Sequence, residues 1–182
     1  MQISTEKTGD FSDYDIRRAR YFYTCLLYEL SKFFILGLVF HLLDLFPEYL
    51  FSILFICPAR ILSGGLHFRN YFGCLLFSIL YFFMGIIFLG NFHPSGAVVF
   101  FSLLLFALIN LLIGPITSDQ RPQPSPEKIH LIKKHMTLLF MVYAMFFLFF
   151  GQNRFYHLGY RLLLIHTAQM IVAFIGKEVS RW

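Results

Sequence analysis

From Tyr71 to Gly114 the chain runs for 44 residues without a single Asp, Glu, Lys or Arg. About 20 mainly apolar residues cross a bilayer as a helix, so this run holds two spans. It is broken at Gly90-Asn91-Phe92-His93-Pro94-Ser95-Gly96, whose Gly, Asn and Pro content marks a turn. Two antiparallel helices are therefore expected, at 71–89 and 97–114. A second uncharged run, His135 to Asn153, supplies another span, and residues 155–176 one more, with Arg161 near its start. The whole chain agrees: 58% of its residues are hydrophobic, 25 are Phe and 14% are charged, against about 25% charged in soluble domains. The expected fold is all-α and polytopic in a membrane.

The N-terminal half is less regular. Residues 21–46 read as a helix with Glu29 and Lys32 at its cytoplasmic end, followed by a polar, helix-breaking junction at Asp44, Pro47 and Glu48. The apolar stretch 49–59 spans only if it extends to about 45–62, tilts or thins the bilayer. Charge decides. With six spans and both termini inside, thirteen of the fifteen Lys and Arg residues fall on the cytoplasmic side, leaving Arg154 and Arg161 outside. Dropping the second span would place Arg60 and Arg69 outside. The net charge of +5 is thus read as topology rather than as a nucleic-acid footprint. Residues 1–20 lack an apolar signal region, so the first apolar segment is expected to be a retained span. They form a cytoplasmic segment, with 10–20 either an interfacial amphipathic helix or a solvated tail. Residues 21–182 form a single membrane domain with a cytoplasmic basic loop at 115–134.

Within that plan one stretch is out of character: ILSGGLHFRNYFGC, residues 61–74. Gly64 and Gly65 free the backbone for a tight turn, His67 follows at once, and Cys74 comes seven residues later. An imidazole beside a cysteine favours the nucleophilic thiolate, and Arg69 adds positive potential. On one straight helix, residues seven apart are separated by about 10 Å along the axis, too far for a hydrogen bond. A working pair therefore requires the helix carrying Cys74 to begin after His67. Spacing alone leaves interfacial packing open as the alternative. Zinc would need two further ligands that the sequence does not cluster nearby, so no metal or cofactor is expected. Cys25 and Cys57 lie in apolar runs and read as small packing residues.

The segment ARILSGGLHFRNYFGC (59–74) resembles the signature of the AgrB family, membrane-embedded cysteine endopeptidases of Gram-positive peptide quorum sensing. The matching positions are Arg60, Gly64, Gly65, His67 and Cys74. The stretch IGPITSDQRPQPSPEKIHLIKKHM resembles that family's cytoplasmic loop. The resemblance implies a cell-membrane enzyme with its site on the cytoplasmic side and Cys74 and His67 as the catalytic pair. The implied substrate is a short propeptide with an amphipathic leader and an acidic tail. Its tail is removed through a thioester on Cys74, and the signal segment closes to a thiolactone or lactone. A homodimer in membrane lipid is expected.

Oxyanion donors are expected either near Gly64 and Gly65 or at the start of the third helix. Arg60, Arg69, Lys133 and Lys134 are candidates for substrate contact, with positive-inside topology as the plain alternative. Ser63 and Asn70 read as helix-cap or turn residues, and His41 and His166 as helix–helix hydrogen-bonders. The rival function is a non-enzymatic transporter or scaffold for peptide export. It predicts polar span linings, whereas spans three to five carry little beyond Ser78, Ser102 and Asn110.

Overall fold

A computed structural model describes residues 13–64, 70–116, 125–150 and 153–179. Among these, every regular element is a helix: α1 (Asp13–Leu42), α2 (Phe46–Ser63), α3 (Tyr71–Phe83, continued by a π-helical turn at Met84–Phe88), α4 (Gly96–Ile113), α5 (Pro126–Phe150) and α6 (Arg154–Val179). Six of these stretches are long and apolar enough to cross a membrane, as the hydropathy pattern requires. The chain is a multi-pass helical membrane protein.

The helix ends follow local chemistry. The short second span reaches 18 residues, about 27 Å, because its N-terminus begins directly at the polar junction. Asp44 turns the chain at φ 56°, Pro47 occupies the first helical turn where its missing N–H costs nothing, and Glu48 faces the positive end of the helix dipole. Asn153 caps α6, its Oδ1 accepting from Phe155 N–H at 2.9 Å. Ser125 and Pro126 open α5 in the same manner, Ser125 Oγ accepting from Lys128 N–H at 3.4 Å. Lys128, Lys133 and Lys134 therefore sit on helical turns rather than on a loop. Likewise, residues 13–20 belong to α1 itself.

Helix α6 is the central element. In its membrane-length window 61% of residues are buried, against 22–28% in the other five. Its Gly159 admits the Phe55 ring, which would lie 2.6 Å from a Cβ there. Aromatic rings make much of the packing: Phe40 stacks on Tyr49 with centroids 5.2 Å apart, and Phe55 on Tyr143 at 4.3 Å. Tyrosine hydroxyls in this apolar interior donate to backbone carbonyls. Tyr49 reaches Phe33 O at 3.0 Å, Tyr81 reaches Leu162 O at 2.8 Å, and Tyr143 reaches Phe55 O at 2.6 Å.

Arg161, which charge counting places on the outer side, is 5% exposed. Its guanidinium donates to Leu89 O at 2.6 Å and also to Gly90 O. These are carbonyls just past the end of the third span, so the arginine satisfies acceptors that the helix cannot. His41 is exposed and packs edge-on against Phe46, whereas His166 is fully buried and bonds another helix, as described below.

Candidate active site

The end of the bundle where α2 and α4 stop and α3 starts is held by a backbone clasp. Gly64 ends α2 at φ 74°, its N–H donating to Arg60 O at 3.0 Å. Gly114 ends α4 at the same φ, its N–H donating to Asn110 O at 2.8 Å. Between them, Ile116 N–H donates to Ser63 O at 2.8 Å, and Gly64 pairs with Ile116 as a parallel bridge. A Cβ on Gly64 would lie 2.2 Å from Ile116 O, so both the dihedral and the close approach demand glycine. The side chain of Lys133 covers Gly114, its Cε 2.6 Å from where a Cβ would stand.

A buried polar pair braces this clasp from behind. Ser63 Oγ donates to Ala59 O at 2.7 Å and lies 2.7 Å from His166 Nε2. With its one proton given to Ala59, the hydroxyl accepts from Nε2–H. His166 Nδ1 is then the acceptor for Gln169 Nε2, 2.8 Å away. The expectation that His166 is a helix–helix hydrogen-bonder is met by this contact.

Cys74 sits in the first turns of α3. Asn70 is the N-cap, its Oδ1 accepting from Gly73 N–H at 2.8 Å, and Cys74 N–H makes an α-helical bond with Asn70 O at 3.2 Å. Side chains tilt toward the start of their helix, so the sulfur is directed to the positive end of α3. The N–H groups of Tyr71 and Phe72 head the helix and have no intrahelical acceptor, whereas the Gly64 N–H is committed to Arg60 O. Cys74 is a free, half-buried thiol, whereas the free Cys57 is exposed on α2.

One neighbour of Cys74 escapes the sequence. Lys32 of α1 is buried, and its Nζ lies 3.4 Å from Cys74 Sγ while also pairing with the Glu29 carboxylate. The register between α1 and α3 is set one turn away, where Ser31 Oγ and Tyr71 Oη are 2.7 Å apart and the Tyr28 and Tyr71 rings are 4.9 Å apart. No local pattern links positions 42 residues apart, so nothing in the sequence near either residue signals this contact.

Among the other expected site residues, Arg60 lies over the Tyr81 ring at 5.3 Å. It faces the bundle rather than the surroundings. Lys133 is half-buried on Gly114, and Lys134 is exposed. Gly65, His67 and Arg69 lie outside the described residues. The break that carries them is bounded by Gly64 and Asn70, so no described helix runs through both His67 and Cys74. A cavity of about 440 Å³ lies at the opposite end of the bundle, between His93–Gly96, Phe147–Phe149 and His157, and includes none of the expected site residues.

Six membrane-length helices with a thiol in the first turns of the third define a polytopic membrane protein with its candidate chemistry at one end of the bundle. Residues 3–173 match the family described as Accessory gene regulator B, AgrB, and the chain belongs to that family. It is 35% identical over 120 residues to a protein of Clostridium beijerinckii named as AgrB-like, a match covering 64% of this chain. The matched region spans 59% of that relative's length. No solved structure matches the chain. Membership supports a role in the agr quorum-sensing system.

Proposed function

We propose that the chain is a membrane cysteine endopeptidase that removes the C-terminal tail of a short quorum-sensing propeptide and closes the remaining segment into a thiolactone or lactone. The observation that carries this reading is the placement of Cys74. It is half-buried in the first turns of a helix that begins after His67, as the spacing of the pair requires.

In the proposed cycle Cys74 sulfur attacks the carbonyl carbon that joins the signal segment to the tail. The oxyanion is received by the amides of Tyr71 and Phe72. The carbon–nitrogen bond then breaks, and the departing amine takes the proton that His67 accepted from the thiol. A thioester on Cys74 remains. A Cys or Ser of the peptide attacks it and gives its proton to His67, the ring ester forms, and Cys74 sulfur is expelled. The thioester retains enough acyl-transfer potential for ring closure without a nucleotide. An apolar surround disfavours the competing hydrolysis.

Lys133, Lys134 and Arg69 are proposed to meet the acidic tail on the cytoplasmic side. Arg60, stacked on Tyr81, is better placed to hold α2 against α3 than to meet substrate. A homodimer remains the proposed assembly in the cell membrane.

The test is mass spectrometry of a candidate propeptide co-expressed with the wild type, Cys74→Ala or His67→Ala. A tail-truncated product formed only by the wild type supports the pair. Cleavage that persists in Cys74→Ala refutes the mechanism.

A further inference from the structure

We propose that Lys32 is a catalytic residue of this site: its ammonium donates a hydrogen bond to the sulfur of Cys74 whenever that atom carries negative charge. This assignment rests on the peptidase reading above. Negative charge resides on the sulfur twice in the proposed cycle, before attack on the propeptide and again when ring closure expels it from the thioester. A donor that stays with the sulfur serves both moments, whereas His67 is occupied with proton transfer, first to the leaving amine and then from the attacking Cys or Ser.

The geometry carries the assignment. A lysine on a spanning helix ordinarily extends its stem to place the ammonium in water or at the headgroups. Lys32 does the reverse. Its side chain is 7% exposed, while its ion-pair partner Glu29 is 70% exposed. An ion pair alone would hold Lys32 beside Glu29 at the surface. The ammonium keeps that contact with Glu29 and at the same time lies with Nζ 3.4 Å from Sγ, in a side chain withdrawn from the surface. Because the carboxylate faces outward, it only partly offsets the lysine charge at the sulfur. The positive end of the α3 dipole acts in the same sense.

The contact is also held in place. Ser31, adjacent to Lys32 in the chain, bonds Tyr71, the first residue of α3, at 2.7 Å, and Tyr28 packs on the same ring. These contacts fix the sliding position of α1 along α3. A shift of one residue, about 1.5 Å, would part the ammonium from the sulfur. Lys32 thus reaches the reacting atom, and Ser31 and Tyr71 are the positioning residues that keep it there.

The test uses the full chain in native membranes with Cys25→Ser and Cys57→Ser, so that Cys74 is the sole thiol. The rate of iodoacetamide labelling is read beside propeptide cleavage. Lys32→Met is expected to slow both by about tenfold, the usual weight of one charge-assisted hydrogen bond. Lys32→Arg, which keeps the charge, is expected to recover most of each rate. Should Lys32→Met fail to reach the membrane, Tyr71→Phe breaks the Ser31 bond without removing charge, and is expected to slow labelling about threefold. Labelling and cleavage at the wild-type rate in Lys32→Met, or in Tyr71→Phe where Lys32→Met fails, would overturn the role of Lys32 while leaving Cys74 as nucleophile. Undiminished cleavage in Cys74→Ala would instead overturn the underlying peptidase reading.

Discussion

Replacing Gly64 by alanine isolates the contribution of the clasp. The residue holds φ 74° and ψ −136°, a region that side-chain-bearing residues enter at a cost of about 1–3 kcal/mol. The new Cβ would lie 2.2 Å from Ile116 O, which is backbone and cannot rotate aside, so residues 114–116 must retreat. That retreat breaks the 2.8 Å bond from Ile116 N–H to Ser63 O, worth about 1 kcal/mol. The sum is about 2–4 kcal/mol, or roughly 30- to 700-fold in the population of the clasped state. Gly114→Ala has the same φ of 74° but meets only the flexible end of Lys133, so it should cost about 1 kcal/mol less. Propeptide cleavage in isolated membranes, normalised to folded protein, reads both. Gly64→Ala should lose at least about thirtyfold and Gly114→Ala distinctly less. Cleavage by Gly64→Ala within about twofold of wild type would show that the turn need not be clasped to Ile116.

Other substitutions probe the remaining supports. Asn70→Ala removes the cap from Gly73 N–H and should cost about 1 kcal/mol, seen as a roughly fivefold fall in cleavage because Cys74 lies in that same first turn. His166→Ala leaves a void behind the clasp and strips Gln169 of its acceptor. It should destabilise the protein by about 2–4 kcal/mol in a detergent melt. Arg161→Met removes the guanidinium from Gly90 O and leaves Leu89 O with Phe92 N–H alone, and should cost about 1.5–3 kcal/mol in the same melt. Cleavage per folded molecule should nevertheless stay within about twofold of wild type, since those carbonyls lie at the opposite end of α3.

The six spans were legible because hydropathy records the solvent directly, and the short second one because Arg60 and Arg69 would otherwise change sides. The extension of α1 back to Asp13 and the start of α5 at Pro126 were not. Polar residues prolong a helix beyond its apolar window without altering any hydropathy signal. The Gly64 turn was readable from glycine's conformational freedom, but its partner Ile116 was not, since a loop-to-loop bridge depends on where two helices end relative to each other. For Arg161, charge counting assigned a side but could not see its burial or the carbonyls it caps. Lys32 was visible only as an inner charge on the first span, because its contact with Cys74 depends on the register of two helices fixed by Ser31 and Tyr71.

The pairing of Gly64 with Ile116 also bears on how this protein can diversify. Each half of the clasp supplies the other's backbone partner, so the candidate site stretch after α2 and the loop after α4 form one unit of exchange. A chimera that imports a relative's 59–74 segment while keeping its own 110–116 segment brings together two ends shaped for different neighbours. Recombination that carries both segments, with Lys133 seated on Gly114, transfers the site intact. Changes in peptide preference should therefore arise by coordinated replacement of the two segments rather than by grafting either one alone.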